Sequence, residues 1–216
     1  MKPRPNILLF LMDGLQADAL EPDSACQTPH FETLRAKGLA FRRAYTTTST
    51  CSPARASMMT GILPHNHGVL EVEHGRDYDQ CVLRPDKPHW AQRLRERGYR
   101  TAYMGKWHVE RSNSLEQFGW EVNHSKASEH HKFLGQGKDV GADLPIDPEL
   151  CRYVEGPQGY NRLLHYGVTD TPPSARYPAF TVEQANEVIT EFSKGDLPWC
   201  ACLSFSEPNE SLIVSR

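Results

Sequence analysis

The sequence lacks the features that would place it in several broad classes. Its longest strongly apolar run, Ile7–Met12, is far too short to cross a bilayer, so no membrane partner is expected. That run begins almost at Met1 and no small-residue cleavage pattern follows it. It is therefore not read as a signal peptide, and the expected location is cytoplasmic. There is no long basic stretch, and the net charge is −3, which gives no electrostatic reason to expect nucleic acid. The cysteines Cys26, Cys51, Cys81, Cys151, Cys200 and Cys202 are scattered with no C-x-x-C pair, which excludes zinc-finger and thioredoxin signatures. Most read as small buried hydrophobes rather than disulfide partners. Internal repeats and low-complexity tracts are absent as well.

What is present is ordinary for a folded protein. Hydrophobic residues make up 38% and charged residues 24% of 216 residues, enough for one α/β domain with a sizeable core. The run Ile7–Met12 stops at Asp13-Gly14 and suits a strand covered on both faces of a parallel sheet. Thr28-Pro29 opens a helix with Thr28 as N-cap; Phe31 and Leu34 supply its apolar side and Gly38 stops it. A short strand around 39–44 leads into the Thr/Ser-rich loop 46–50, and a helix follows from Pro53 to Met59. Trp90–Arg97 reads as a helix ended by Gly98, with a strand over Tyr99–Met104. Residues 110–178 read as loops and short decorating elements. Thr181 and Gln184 form a capping-box pattern ahead of Val182, Ala185, Val188, Ile189 and Phe192 at helical spacing. Gly195 ends that helix, and Trp199–Phe205 is a further buried strand. Strand–helix–strand alternation of this kind predicts a mostly parallel sheet with helices on both faces.

The strongest chemical signal is Cys51-Ser52-Pro53-Ala54-Arg55 followed by Thr60-Gly61. A loop cysteine before a proline-started helix would account for Cys51 and Pro53, but it leaves Arg55 and the Thr-Gly ending unexplained. A helix start aims backbone N–H groups at an anion, and Arg55 adds a cation one turn along. The stretch closely resembles the sulfatase signature, in which the cysteine is oxidised after translation to formylglycine; the family usually has serine at Ala54, with alanine in many members. Asn6–Asp13 is similar to the family's first strand, which delivers a metal-binding aspartate at its C-terminal end. Many sulfatases carry a second aspartate where this chain has Gly14, so one ligand is absent or replaced. Gly105-Lys106-Trp107-His108 matches the family's G-K-W-H stretch. In extended chain Lys106 and His108 would point to one side and Trp107 to the other, which sets a sulfate-binding cation beside a proton-transfer group. Pro64-His65-Asn66-His67-Gly68-Val69 resembles the segment after the signature helix, with a structural role preferred for its histidines. Ser204-Phe205-Ser206-Glu207-Pro208-Asn209-Glu210 resembles the strand leading into Pro-His, with Asn209 where histidine is usual. An amide can hydrogen-bond sulfate but cannot titrate. His130-His131 reads as solvent-facing, and Asp143 and Asp147 as loop charge.

The resemblance implies an alkaline-phosphatase-like α/β sandwich, of which residues 1–216 are the N-terminal catalytic part. The C-terminal half, with further metal ligands and a second sulfate-binding lysine, would be missing. It implies a sulfuric ester hydrolase of arylsulfatase type whose nucleophile is a formylglycine made from Cys51 by a formylglycine-generating enzyme. Arg55 would hold the diol and charge. Lys106 and His108 would bind sulfate and move protons, Asn209 would contact substrate, and Asp13 and the Cys51-derived diol would bind a metal. Hard oxygen ligands favour Ca²⁺, with Mg²⁺ as the other candidate. The expected substrate is a small-molecule or carbohydrate sulfate ester. The alternatives are a phosphonate monoester or phosphodiester hydrolase of the same superfamily, or an inactive truncated fragment.

Overall fold

Four strands carry the apolar runs of the sequence into one parallel sheet: β1 (Ile7–Asp13), β2 (Arg100–Gly105), β3 (Val122–Ser125) and β6 (Trp199–Pro208). Their order is β1-β6-β2-β3, and every pairing is parallel. The computed structural model describes residues 4–72, 80–112, 114–125, 144–155, 163–209 and 211–216. Because side chains alternate along a strand, each interior strand feeds two cores. Tyr103, Cys200 and Cys202 enter one cluster with Met59, Ala91, Trp107 and Trp120. Ala102, Met104, Ala201 and Leu203 enter a second cluster with Ala185, Val188 and Phe192.

The first core is covered by α2 (Cys51–Thr60) and α4 (Trp90–Glu96), and the second by α5 (Tyr177–Phe192). Helices therefore lie on both faces, as the alternation predicts. Short α3 (Pro64–His67) follows α2, and α1 (Pro29–Lys37) lies further out.

Several expectations are corrected. β1 is parallel as predicted, but it is not covered on both faces. Leu8 is 53% and Phe10 49% exposed on one face, and among the described residues β1 pairs on one side only, with β6. In α1, Pro29 opens the helix and Gly38 ends it, but the Thr28 side chain makes no capping bond and no residue of the helix is buried. Residues 39–44 form no strand; no neighbouring strand pairs with them, and Leu39 and Phe41 stand 87% and 81% exposed. α5 starts at Tyr177, four residues before the predicted capping box, because Pro178 fits the first helical turn. Thr181 then lies inside the helix, where its hydroxyl donates to the Tyr177 carbonyl, and the helix ends at Phe192, ahead of Gly195.

The stretch expected to be mainly loops supplies most of a second sheet. β4 (Ile146–Val154), β5 (Leu163–Thr169) and β7 (Leu212–Ser215) have the order β4-β5-β7. β4 and β5 are antiparallel, whereas β5 and β7 are parallel. Asp147 at the start of β4 is ion-paired with Arg216, which agrees with its reading as ordinary charge. Asp143, His130 and His131 lie outside the described residues.

Candidate active site

The C-terminal ends of β1 and β2 and the N-terminal end of α2 meet at one place. Open parallel sheets offer their ligand sites at such carboxyl ends. β1 ends with Asp13. Cys51 is the first residue of α2, two residues earlier than predicted, and its helix is entered through an extended Thr50. The first intrahelical bond runs from the Ala54 N–H to the Thr50 carbonyl at 3.1 Å, and Pro53 has no N–H to offer, so Cys51 sits ahead of the helix's hydrogen-bond ladder. β2 ends at Gly105, whose φ of +88° turns the chain out of the strand. Lys106 then donates its backbone N–H to the Ser204 carbonyl at 2.7 Å.

This convergence sets Cys51 between opposite charges. Its Sγ lies 3.9 Å from Asp13 Oδ1 and 4.0 Å from Lys106 Nζ. The Lys106 ammonium is also bonded to Asp13 Oδ2, and Arg55 Nη2 reaches the same oxygen at 3.5 Å. Burial alone would push the Asp13 carboxyl up. The hydrogen bond and charge of Lys106, joined by those of Arg55, overcome it and hold the carboxyl below its ordinary range. Two cations face one carboxylate, so the cluster carries a net positive charge.

Arg55, expected to hold the diol and charge, is bonded here to the strand ends around the site. Rather than reaching Cys51, its Nη1 donates to the Ser204 hydroxyl at 2.8 Å and to the Lys106 carbonyl at 3.1 Å, while Nη2 takes Asp13. One buried guanidinium thereby ties together the ends of β1, β2 and β6 through its five fixed donors. The Tyr103 hydroxyl donates to the same Lys106 carbonyl at 2.6 Å, and burial raises its pKa well above the usual phenol range. Ser204 and Tyr103 were not singled out from the sequence. The available signal was a polar atom inside each of two buried strands, which must find a partner.

The expected alternation of Lys106 and His108 does not hold, because the segment is not extended. Gly105 has φ +88° and His108 has φ +49°, so successive side chains do not alternate as they do in a strand. Trp107 packs into the core, edge-on to Tyr103 with ring centroids 5.1 Å apart, and His108 is half-buried. Asn209 approaches through its backbone. A β-carbon at Gly14, where φ is +74°, would lie 3.0 Å from the Asn209 Cα. A larger residue at position 14 would therefore press on the Asn209 backbone.

The divalent metal implied by the resemblance meets an incomplete donor set. The expected ligands are Asp13 and the diol that the resemblance implies at Cys51, and Asp13 is already shared by two cations. Among the described residues no group of three or more His, Cys, Asp or Glu is placed to hold an ion, whereas Ca²⁺ takes 6–8 oxygens. The described residues therefore do not form a complete metal site.

Comparison with known proteins bears on the family of the chain as a whole. The family model described as Sulfatase matches residues 5–195. The ulvan-active sulfatase of Formosa agariphila is 27% identical over 213 residues, covering 95% of this chain and 36% of that protein. The choline-sulfatase of Rhizobium meliloti is 25% identical over 236 residues, covering 99% of this chain and 40% of that protein. Human N-sulphoglucosamine sulphohydrolase is 36% identical over 112 residues, covering 50% of this chain and 21% of that protein. The chain thus spans less than half the length of these relatives. Among solved structures, the PsFucS1 sulfatase of Pseudoalteromonas sp. superposes with a TM-score of 0.58 at 19% identity, over 94% of this chain and 44% of that one. Ps i-CgsB in complex with k-i-k-neocarrahexaose gives 0.63 at 19% identity, over 95% and 46%. These likenesses carry the alkaline-phosphatase-like fold. With the family model covering nearly the whole chain, the protein belongs to the sulfatase family.

Proposed function

We propose that this chain provides the nucleophile-bearing part of a sulfuric ester hydrolase, with Cys51 converted to formylglycine. The observation that carries the proposal is the position of Cys51. It stands at the open N-terminus of α2 between the Asp13 carboxylate and the Lys106 ammonium, in a cluster of net positive charge. A hydrated aldehyde there presents two hydroxyls, and each has a task. The oxygen of one attacks the ester sulfur; the bond from sulfur to the leaving oxygen breaks and the alcohol departs with a proton. The second hydroxyl then loses its proton and re-forms the C=O bond. This expels sulfate by cleavage of the C–O bond, and water restores the diol.

The chain's own residues support both steps. Asp13, held as a carboxylate, accepts a hydrogen bond from the diol and fixes its rotation. The Lys106 ammonium, with the α2 N-terminus, stabilises the charge that gathers on the sulfuryl oxygens. Arg55 acts indirectly by holding Asp13 and the Lys106 backbone. His108 is the candidate for proton transfer to the leaving group, and Asn209 for a hydrogen bond to substrate. Family membership implies, in general, a formylglycine and a divalent metal; Ca²⁺ or Mg²⁺ would require oxygen ligands beyond those described. Several relatives bear the names of carbohydrate sulfatases, N-acetylgalactosamine-6-sulfatase of Canis lupus familiaris among them, so a sulfated carbohydrate is the proposed substrate class.

The test is mass spectrometry of the peptide containing Cys51 after co-expression with a formylglycine-generating enzyme. The expected product is the aldehyde, in which oxygen has replaced the elements of H₂S. A peptide that remains a thiol under those conditions would sink the proposal.

A further inference from the structure

On the far side of α2 from the charge cluster lies a second hydrogen-bonded group that the proposed chemistry does not use. Ser57 follows Arg55 by two residues, roughly 200° round the helix, so the two side chains leave α2 in nearly opposite directions. The Ser57 hydroxyl is 2.9 Å from Nε2 of His67 and accepts from the Thr47 hydroxyl at 3.0 Å. His67 is completely buried. The Val69 backbone N–H donates to its Nδ1 at 3.1 Å, and the Arg84 N–H donates to its carbonyl at 2.9 Å.

These bonds fix the state of the ring. Nδ1 receives a hydrogen bond from the Val69 N–H, so the neutral ring holds its proton on Nε2, where it faces the Ser57 hydroxyl and the Pro53 carbonyl. An imidazolium would point a second N–H at the Val69 N–H. Burial acts in the same direction, opposed by the Pro53 carbonyl and aided by the charges of Arg84 and His65, and the net effect lowers the His67 pKa.

We propose that His67 is a positioning residue for Cys51. Through Ser57 it anchors α2, and through Ser57 and Thr47 it anchors the loop that delivers Cys51 to the first turn of that helix. The loop has its own internal bonds, from the Thr46 hydroxyl to the Thr48 carbonyl at 3.0 Å and from the Thr50 N–H to the Thr48 hydroxyl at 3.2 Å. Thr47 joins this folded loop to the body of the helix. A helix free to shift along its axis would carry Cys51 away from Asp13 and Lys106 together, and His67 closes off that freedom from behind. The inference rests on the reading of Cys51 as the reactive residue, but its test needs neither aldehyde nor turnover.

The test uses the 216-residue chain expressed without a formylglycine-generating enzyme, so that Cys51 stays a thiol. Alkylation rates at Cys51 and at exposed Cys26 are followed by peptide mass spectrometry. In Ser57→Ala and His67→Ala the Cys51 rate should change severalfold while the Cys26 rate stays constant. His67→Gln, whose amide N–H can still donate to Ser57, should stay close to the parent. If His67→Ala does not fold, Ser57→Ala carries the test, since alanine is the best helix former. Imidazole ¹⁵N shifts should show His67 neutral with its proton on Nε2. An unchanged Cys51 rate in Ser57→Ala, a His67→Gln variant that behaves like the alanine variant, or a proton on Nδ1 would each overturn the proposal.

Discussion

Removing the charge of Asp13 would leave the Lys106 ammonium and the Arg55 guanidinium facing each other where water reaches little of either. The side chains of Arg55, Lys106 and Asp13 are only 7%, 14% and 15% exposed. Asp13→Asn should therefore cost about 3 kcal/mol at neutral pH, the scale of an orphaned, largely buried charge. Its pH dependence has a definite sign. The folded-state carboxyl lies below the ordinary 3.8, so the stabilisation is complete above that value and fades as the pH falls below it. Urea unfolding of parent and variant should give a constant difference from neutrality down to about pH 5 and a shrinking one below pH 4. A difference that grows in acid would show that Asp13 is not the anion of the cluster. At this scale Cys51, Asp13, Arg55 and Lys106 were singled out by the resemblance of their motifs rather than by residue type alone, and the structure brings the four together. What Arg55 touches was not legible. Its fork is set by Ser204 and by the Lys106 carbonyl, and a sequence does not show which strand end lies beside which helix.

Two glycines show how elements reach the site, and they make opposite demands. Gly61 caps α2 with φ +74° and donates to the Ser57 carbonyl at 2.8 Å, but a β-carbon there would meet nothing within 4 Å. Gly61→Ala should cost only the backbone penalty of the left-handed region, about 1 kcal/mol. At Gly105 the φ of +88° is joined by a steric bar, since a β-carbon would run into the Ser204 carbonyl and approach the Thr181 side chain at 3.3 Å. That carbonyl also receives the Lys106 N–H, so Gly105→Ala must pry β2 from β6 at the point where Lys106 enters the site. A loss of more than about 3 kcal/mol is expected, read as a fall in the urea midpoint, with Gly61→Ala as the comparison. Equal costs at the two glycines would mean that the strands part freely there. Strands such as β2 and β6 were legible because their apolar runs are buried on both faces. β4 was missed because so many of its residues stay exposed, as in Pro148-Glu149-Leu150 and Arg152-Tyr153, and a half-wet strand reads like loop. The Lys106–His108 alternation failed for a different reason: a glycine after a strand signals a turn but not its direction.

At the scale of the whole molecule, the catalytic candidates lie on one end of a sheet whose outer strand β1 has one partner among the described residues. The apolar character of β1 was plain in the sequence, but its place at the margin was not, because strand order depends on which partners pair. Asp13 is the last residue of that strand, so whatever holds β1 also holds the carboxylate. Among the described residues β1 pairs on one side only, and Leu8 and Phe10 stand about half exposed on one face. Phe10 is anchored against Phe205 with ring centroids 4.9 Å apart, whereas Leu8 lies outside the hydrophobic clusters. An apolar, unprotected edge of this kind is a template for pairing with another chain. The 216-residue chain should therefore associate with itself as concentration rises, as read by sedimentation velocity. Leu8→Lys places a charge on the open strand without touching Asp13, the Phe10–Phe205 contact or the β1–β6 ladder, and charged edge residues are the usual protection. The variant should sediment as a monomer at concentrations where the parent is mixed, with its urea midpoint unchanged. A parent that stays monomeric throughout, or a variant that associates as the parent does, would show that the β1 edge is not the surface through which the chains meet.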